Sequence, residues 1–235
     1  MKQFTYGIVG RGKLACHLLH YFTLEGLPVI QWHRESPESA HQALASCDVI
    51  IVALTDRAIA SWIEDHHTLQ PRYWVHCSGA LVLPGVQGVH PLSTFTSSLY
   101  DLTTYRAIPF ILEKEGVDFG DIFPKLCNPH FKINRQDKVL YHALCVIMGN
   151  LPTLLWQQGI AITEEKIGLP AEIYTPYLTQ TLINTIANPK AARTGPMERG
   201  DWQTITQHLD VLPEGALKTI YKQFLKLFSS YPCPN

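Results

Sequence analysis

The chain has 235 residues, of which 46% are hydrophobic and 17% charged, with a formal net charge of -1 at pH 7. This length and apolar content allow one large domain or two small ones with a substantial core, and they exclude an intrinsically disordered chain. The near-neutral balance offers no basic excess to neutralise a phosphate backbone, so nucleic acid is excluded as the main partner.

From Met1 the chain runs directly into a strand pattern at residues 4–9, without the charged-then-apolar build of a signal peptide. A helix is expected over 13–22, where Leu14, Leu18 and Phe22 recur at helical spacing. Strand-like runs follow at 28–32 and 48–54. A second helix covers 57–65 with Ile59, Trp62 and Ile63 on its apolar side and Asp56 placed as N-cap. Further strands are expected at 73–77, 87–90, 107–112 and 130–133. Most of these runs are continuously apolar rather than alternating, as strands buried on both faces require. The fold class is therefore α/β, with a doubly wound, mainly parallel sheet followed by a smaller all-helical domain.

The character changes near residues 133–137, which divides the chain into domains 1–135 and 136–235. Residues 137–162 read as one long helix carrying Leu140, Leu144, Ile147, Leu151 and Leu154 on one face. Its other faces are also poor in charge, so burial nearly all round is expected, with a bend at Pro152. Later helices are expected at 176–186, 202–210 (capped by Asp201) and 213–228. So apolar a helix needs more cover than a domain of ~100 residues supplies, which predicts a homodimer through the helical half. No uninterrupted apolar run approaches the ~20 residues of a membrane span. Six cysteines (Cys16, Cys47, Cys77, Cys127, Cys145, Cys233) are scattered with no C-x-x-C pair, so reduced thiols and no metal site are expected. These features together describe a soluble, cytoplasmic protein with no membrane partner.

The first strand leads into Gly10-Arg11-Gly12-Lys13-Leu14-Ala15, a match to G-x-G-x-x-G/A set between a strand and a helix. Gly10 permits the tight turn, Gly12 lets the backbone approach a pyrophosphate, and Ala15 allows close helix–strand packing. Lys13 and Leu14 open a helix whose free N–H groups face the phosphates. The context makes this the dinucleotide-binding turn of a Rossmann-type domain. At the end of the second strand, NAD sites place an acid about 20 positions on for the ribose 2′-hydroxyl. Here stand Trp32-His33-Arg34-Glu35-Ser36. Arg34 offers a fork to a 2′-phosphate, Ser36 a hydroxyl, His33 a further polar contact and Arg11 a second charge. Glu35 is expected to face the opposite side, since neighbours in an extended segment diverge. NADP is therefore favoured over NAD. Ligands in such sheets lie beyond the strands' carboxyl ends, which adds Thr55, Ser78 and Gly79 as cofactor contacts and His90 as a substrate contact.

Three segments recur together in order: Gly88-Val89-His90-Pro91-Leu92-Ser93-Thr94-Phe95, Tyr141-His142-Ala143 through Asn150, and Thr194-Gly195-Pro196-Met197-Glu198-Arg199-Gly200-Asp201 through His208-Leu209. With the Rossmann half they resemble, over nearly the whole chain, Rossmann-like proteins with a helical C-terminal domain of unknown function, described as NADP-dependent oxidoreductases. The two-part plan is also that of pyrroline-carboxylate reductases, 6-phosphogluconate-type dehydrogenases and prephenate dehydrogenases. The resemblance implies an NADP-binding domain and a substrate held between the halves. It departs in the bulkier Leu144, Cys145 and Val146 after Tyr-His-Ala, which alter the pocket.

Hydride transfer needs a held carbonyl or imine and a proton donor. His142 is the candidate proton group. Asn150 on the same helix is placed about 80° round and ~12 Å along, within reach of the same cleft. Arg199 can take a substrate carboxylate as a bidentate fork. The expected function is NADP(H)-dependent oxidoreduction of a small polar, carboxylated substrate. No lysine-centred constellation is evident on the long helix, which keeps a non-catalytic NADP(H)-binding regulator as the alternative. A methyltransferase is disfavoured, because His33-Arg34 suits the ribose hydroxyls poorly.

Overall fold

A computed structural model describes residues 4–230 of the chain; Met1, at the head of the expected first strand, and Cys233 lie outside the described residues. Seven strands form one sheet in the order β2-β1-β3-β4-β5-β6-β7. They are β1 Tyr6–Val9, β2 Val29–Trp32, β3 Val49–Val52, β4 Tyr73–His76, β5 Gln87–Pro91, β6 Phe110–Glu113 and β7 His130–Ile133. Every neighbouring pair is parallel except β5 and β6, which run antiparallel with His90 opposite Ile111. β1 pairs with both β2 and β3, Tyr6 facing Val29 on one side and Val49 on the other. The direction of winding reverses there, which opens a crevice at the carboxyl ends of β1 and β3.

The continuous apolar runs have the expected cause. Ile8, Val49, Ile51 and Val75 project into one core with Tyr21 and Phe22 of α1 (Lys13–Leu24). Val9, Ile50 and Val52 project into a second core with Leu44 of α2 (Ala40–Leu44) and Ile59 of α3 (Asp56–Asp65). Both faces of the sheet are thus covered, and each fully buried Ile or Val contributes roughly 1.5–3 kcal/mol. Two short helices, α4 (Leu102–Ala107) and α5 (Phe119–Ile122), complete the first covering layer.

Local chemistry sets the helix starts. Ser39 and Gln42 form a reciprocal capping box at α2. Asp101 caps α4 by accepting from the Thr104 N–H. At α3 the N-cap is Thr55, not Asp56. Asp56 is the first helical residue, where its charge suits the positive helix end, and its carboxylate accepts a bond from Ser78 instead.

The long helix departs from expectation in two ways. It consists of α6 (Lys138–Cys145), a π turn (Val146–Asn150) and α7 (Leu151–Ile162), with a second π turn at Thr163–Ile167. The widened turn lies ahead of Pro152, where it accommodates the missing backbone donor. The helix is also not buried all round. Val139, Leu140, Leu144, Ile147, Met148, Leu151 and Leu154 are exposed. Periodicity locates an apolar face but does not supply the surface that covers it. The stretch Arg135–Ile167, although interrupted by polar residues and thus no uninterrupted apolar run, is long and apolar enough by length and composition alone to cross a membrane.

The chain divides into two compact units between Gly149 and Asn150. The first unit thus continues past the sheet's last strand, because Lys138, Tyr141 and His142 on α6 are tied to strand residues of that unit. In the second unit, α7 is followed by α8 (Tyr174–Ala187), α9 (Pro196–Arg199), α10 (Trp202–Val211) and α11 (Ala216–Ser230). Within it the Thr163 and Tyr174 hydroxyls lie 2.7 Å apart, and the Arg193 guanidinium stacks over Phe228.

Candidate functional site

Gly10 leaves β1 at φ 122°, and a Cβ there would stand 2.6 Å from the Ala53 carbonyl oxygen at the end of β3. Only glycine fits this turn. Gly12 is the N-cap of α1 with an ordinary extended backbone, and a Cβ on it would meet nothing within 4 Å. Its lack of a side chain therefore leaves space outside the protein rather than inside it, as an approaching anion needs. The first turn of α1 has no side-chain cap and no acid, so its N–H groups stay available. Lys13 is exposed there, and the Leu14 side chain turns inward onto the core, so Leu14 offers only its backbone.

This turn borders a cavity of about 680 Å³. Gly10 and Gly12 line one side. Trp32, Trp62 and His66 form an aromatic wall, with the Trp62 and His66 rings stacked at 4.0 Å and 15°. Arg11, His33, Arg34 and Glu35 make a charged rim. The expected direction of Glu35 is corrected: its Oε2 lies 2.6 Å from Arg11 Nη1, on the cavity side. The segment turns after His33, with the Ser36 N–H donating to the His33 carbonyl at 2.8 Å, so the alternation of an extended strand does not apply. Ser36 itself is folded back, its hydroxyl oxygen accepting from the His33 N–H at 3.0 Å, and it does not line this cavity. Arg34 is almost fully solvated, and Thr55 is exposed at the start of α3.

A second cluster sits at the carboxyl ends of β4 and β5. The Ser78 hydroxyl donates to Asp56 Oδ2 at 2.7 Å and accepts from the Leu81 N–H at 2.9 Å, so it organises the loop. The Ser78 N–H donates to His76 Nδ1 at 3.2 Å. Gly79 lies so close under α6 that a Cβ would stand 2.6 Å from His142 Cδ2 and 3.2 Å from His90 Cδ2. His90 Nδ1 and the Tyr141 hydroxyl are 2.7 Å apart, and the His90 and His142 rings meet edge to face at 5.9 Å. Gly79, His90 and His142, chosen separately from sequence, are therefore brought together, with Tyr141 added.

Beneath them lies a buried ion cluster. Glu113 at the end of β6 accepts from Lys138 Nζ at 2.8 Å and from Arg135 Nε at 2.7 Å, and both Glu113 and Lys138 are buried. Gly88 passes directly over the pair, where any side chain would strike Lys138 Nζ and Glu113 Oε1. A lysine does therefore stand at the head of the long helix, contrary to the expectation of none, held in an ion pair. Sequence reasoning missed Tyr141, Lys138 and Glu113 because their partners are remote in the chain.

Burial pushes the His90 ring down to about 4, with the neighbouring His142 and Lys138 adding to the shift and Asp56 opposing it. Burial likewise takes His76 to about 4, with Lys138 adding to the shift and Glu113 and Asp56 opposing it. Burial, then Cys145, raises the Tyr141 hydroxyl above its usual range. Both depressed histidines are neutral in the fold and take up protons more readily when unfolded. Stability is therefore full above about pH 6.5 and falls as pH drops towards 4, by roughly 3 kcal/mol for each histidine. Urea midpoints measured from pH 7.5 to 4 check this, and His76→Gln or His90→Gln should flatten the profile.

In the second unit, Asn150 is exposed at the end of the π turn, and Arg199 is exposed at the end of α9. The ideal-helix phase between His142 and Asn150 does not hold, because the π turn intervenes. Asp201 caps α10, accepting from the Thr204 N–H at 3.1 Å, and His208 Nδ1 is 2.9 Å from the Tyr221 hydroxyl. Among the described residues no group of three His, Cys, Asp or Glu is placed to hold a metal ion. Cys16, Cys47, Cys77, Cys127 and Cys145 are free thiols, with burial pushing Cys77 up to about 12.

Residues 113–227 match a domain of unknown function, DUF2520. No curated protein matches the chain. Among solved structures, a Bacteroides fragilis protein described as an NADP oxidoreductase aligns with a TM-score of 0.81 at 20% identity, covering 97% of this chain and 99% of that one. A Thermotoga maritima protein aligns at 0.69 and 24% identity over 96% and 97%. The pyrroline carboxylate reductase of Plasmodium falciparum, solved with NADP bound, aligns at 0.56 and 15% identity over 97% and 92%. These likenesses, with the sheet order and the glycine turn, establish the fold. Residues 113–227 thus resemble the DUF2520 domain of unknown function, and the chain has a Rossmann-type α/β fold followed by a helical part.

Proposed function

We propose that the protein is an NADP(H)-dependent oxidoreductase acting on a small polar, carboxylated carbonyl or imine. The observation that carries this reading is the Gly10–Gly12 turn opening onto the aromatic and cationic cavity at the reversal of the sheet. The residues present fit a dinucleotide. Gly12 leaves room for a pyrophosphate, the uncapped start of α1 offers N–H donors, and Trp32, Trp62 and His66 offer apolar faces to an adenine. Arg11 and Arg34 are the cations available to a 2′-phosphate. When bound, NADPH supplies the hydride.

The chain's own part is to hold the acceptor and deliver a proton. Gly79 and Ser78 shape the loop beside His142, and His142 is the group we assign to moving the proton. Tyr141, locked to His90 Nδ1, positions the helix turn that carries His142. Arg199 is the exposed fork we assign to the substrate carboxylate. The exposed apolar face of the long helix is the surface we assign to a second copy of the chain, in a soluble homodimer.

Titration with NADPH and NADH, followed by nicotinamide fluorescence, tests the binding half. Saturable NADPH binding is expected, and no binding of either at millimolar concentration would sink the proposal. A panel of keto acids and cyclic imines tests the chemistry. His142→Ala should cut turnover by about 10²-fold or more while leaving NADPH affinity within about twofold. Tight binding without turnover of any panel member would favour a regulator.

A further inference from the structure

Arg11 and Glu35 close on one another at the rim of the cavity, Nη1 to Oε2 at 2.6 Å. Both side chains are more than half exposed, at 59% and 51%, so the contact is held by charge and not by packing. Glu35 Oε1 also lies 4.0 Å from Arg34 Nε. One carboxylate therefore stands against both cations that this rim offers to an anion. Its backbone is fixed independently of its side chain: the Glu35 N–H donates to His33 Nδ1 at 3.3 Å, inside the turn closed from Ser36 to His33. The side chain is free to swing while the loop stays in place.

Resting on the dinucleotide reading above, we propose that Glu35 sets coenzyme selectivity here as a resident competitor. Its carboxylate occupies the guanidinium of Arg11 that a ribose 2′-phosphate requires, and it offers an acceptor to a ribose 2′-hydroxyl. A 2′-phosphate must displace Glu35 from Arg11 and then sit beside a like charge, which is unfavourable. An exposed pair of this kind is weak, so displacement is feasible, but it subtracts from the phosphate's gain. The preference for NADPH over NADH is consequently held down in the natural chain, and the carboxylate is what holds it.

Calorimetric titration with 2′,5′-ADP and with 5′-AMP separates the phosphate's contribution from the rest of the cofactor and from any turnover. In Glu35→Gln the ratio of affinities, 2′,5′-ADP over 5′-AMP, should rise at least about fivefold with an unchanged thermal midpoint, since the residue is solvated. In the double variant Arg11→Ala with Glu35→Gln the gain should vanish. A ratio within about twofold of the natural protein's, or a gain that survives without Arg11, overturns the role of Glu35 while leaving dinucleotide binding intact. Failure of both nucleotides to bind all three folded proteins at millimolar concentration overturns the dinucleotide reading, and this inference with it.

Discussion

Gly12→Val should lose NADPH binding by about 10²-fold or more while keeping the melting temperature of the natural chain, whereas Gly10→Val should lose both binding and stability. The two glycines are two residues apart but empty for different reasons. At Gly12 the backbone is ordinary and the space beyond the missing Cβ is open, so valine folds and simply fills the approach to the helix start. At Gly10 the positive φ and the Ala53 carbonyl leave no room, so a Cβ must push β1 away from β3. The expected cost is about 2–4 kcal/mol, from backbone strain plus displacement in a close-packed interior. Fluorescence titration and urea denaturation of the two variants check the contrast. Equal binding by Gly12→Val and the natural protein would remove the phosphate turn from the cofactor site.

Glu113→Gln should destabilise the first unit by about 3–5 kcal/mol, because it leaves Lys138 buried without its counter-charge. Lys138→Met should cost less, about 2–3 kcal/mol, since Arg135 still pairs with the carboxylate from a partly solvated position. Combining the two should cost less than the sum, as removal of both charges leaves no orphan. Denaturant midpoints of the three variants measure this coupling. Additive losses would mean that the two groups do not sense one another.

What could be read without coordinates was local. The glycine turn, the strand before it and the helix after it are contiguous, so their meaning survives in one dimension. The continuous apolar runs of β1 and β3 report burial on two faces whatever lies opposite. Features made by distant partners were not legible. Lys138 looks like a surface lysine until Glu113 is brought beneath it, and the His90–Tyr141 bond joins residues from a strand and a helix far apart in the chain. The antiparallel entry of β6 depends on pairing that no single strand records. Glu35 was misdirected for a local reason: alternation assumes an extended chain, and the chain turns at His33. The long helix showed its apolar faces plainly, yet their exposure depends on how much protein remains to cover them.

The ion cluster beneath Gly88 ties the segment that resembles DUF2520 to the sheet outside it. That segment begins at Glu113, on the sixth strand of the sheet, while the compact units part only after Gly149. Its opening residues are thus structural members of the first compact unit. A glycine at position 88, outside the segment, is what leaves room for the Glu113–Lys138 pair inside it. The matched segment therefore does not coincide with a compact unit, and cutting the chain at its start would take β7 away from the sheet. A side chain at position 88 would have to displace the Glu113–Lys138 pair, so the stability of that pair is set partly from outside the segment that contains it.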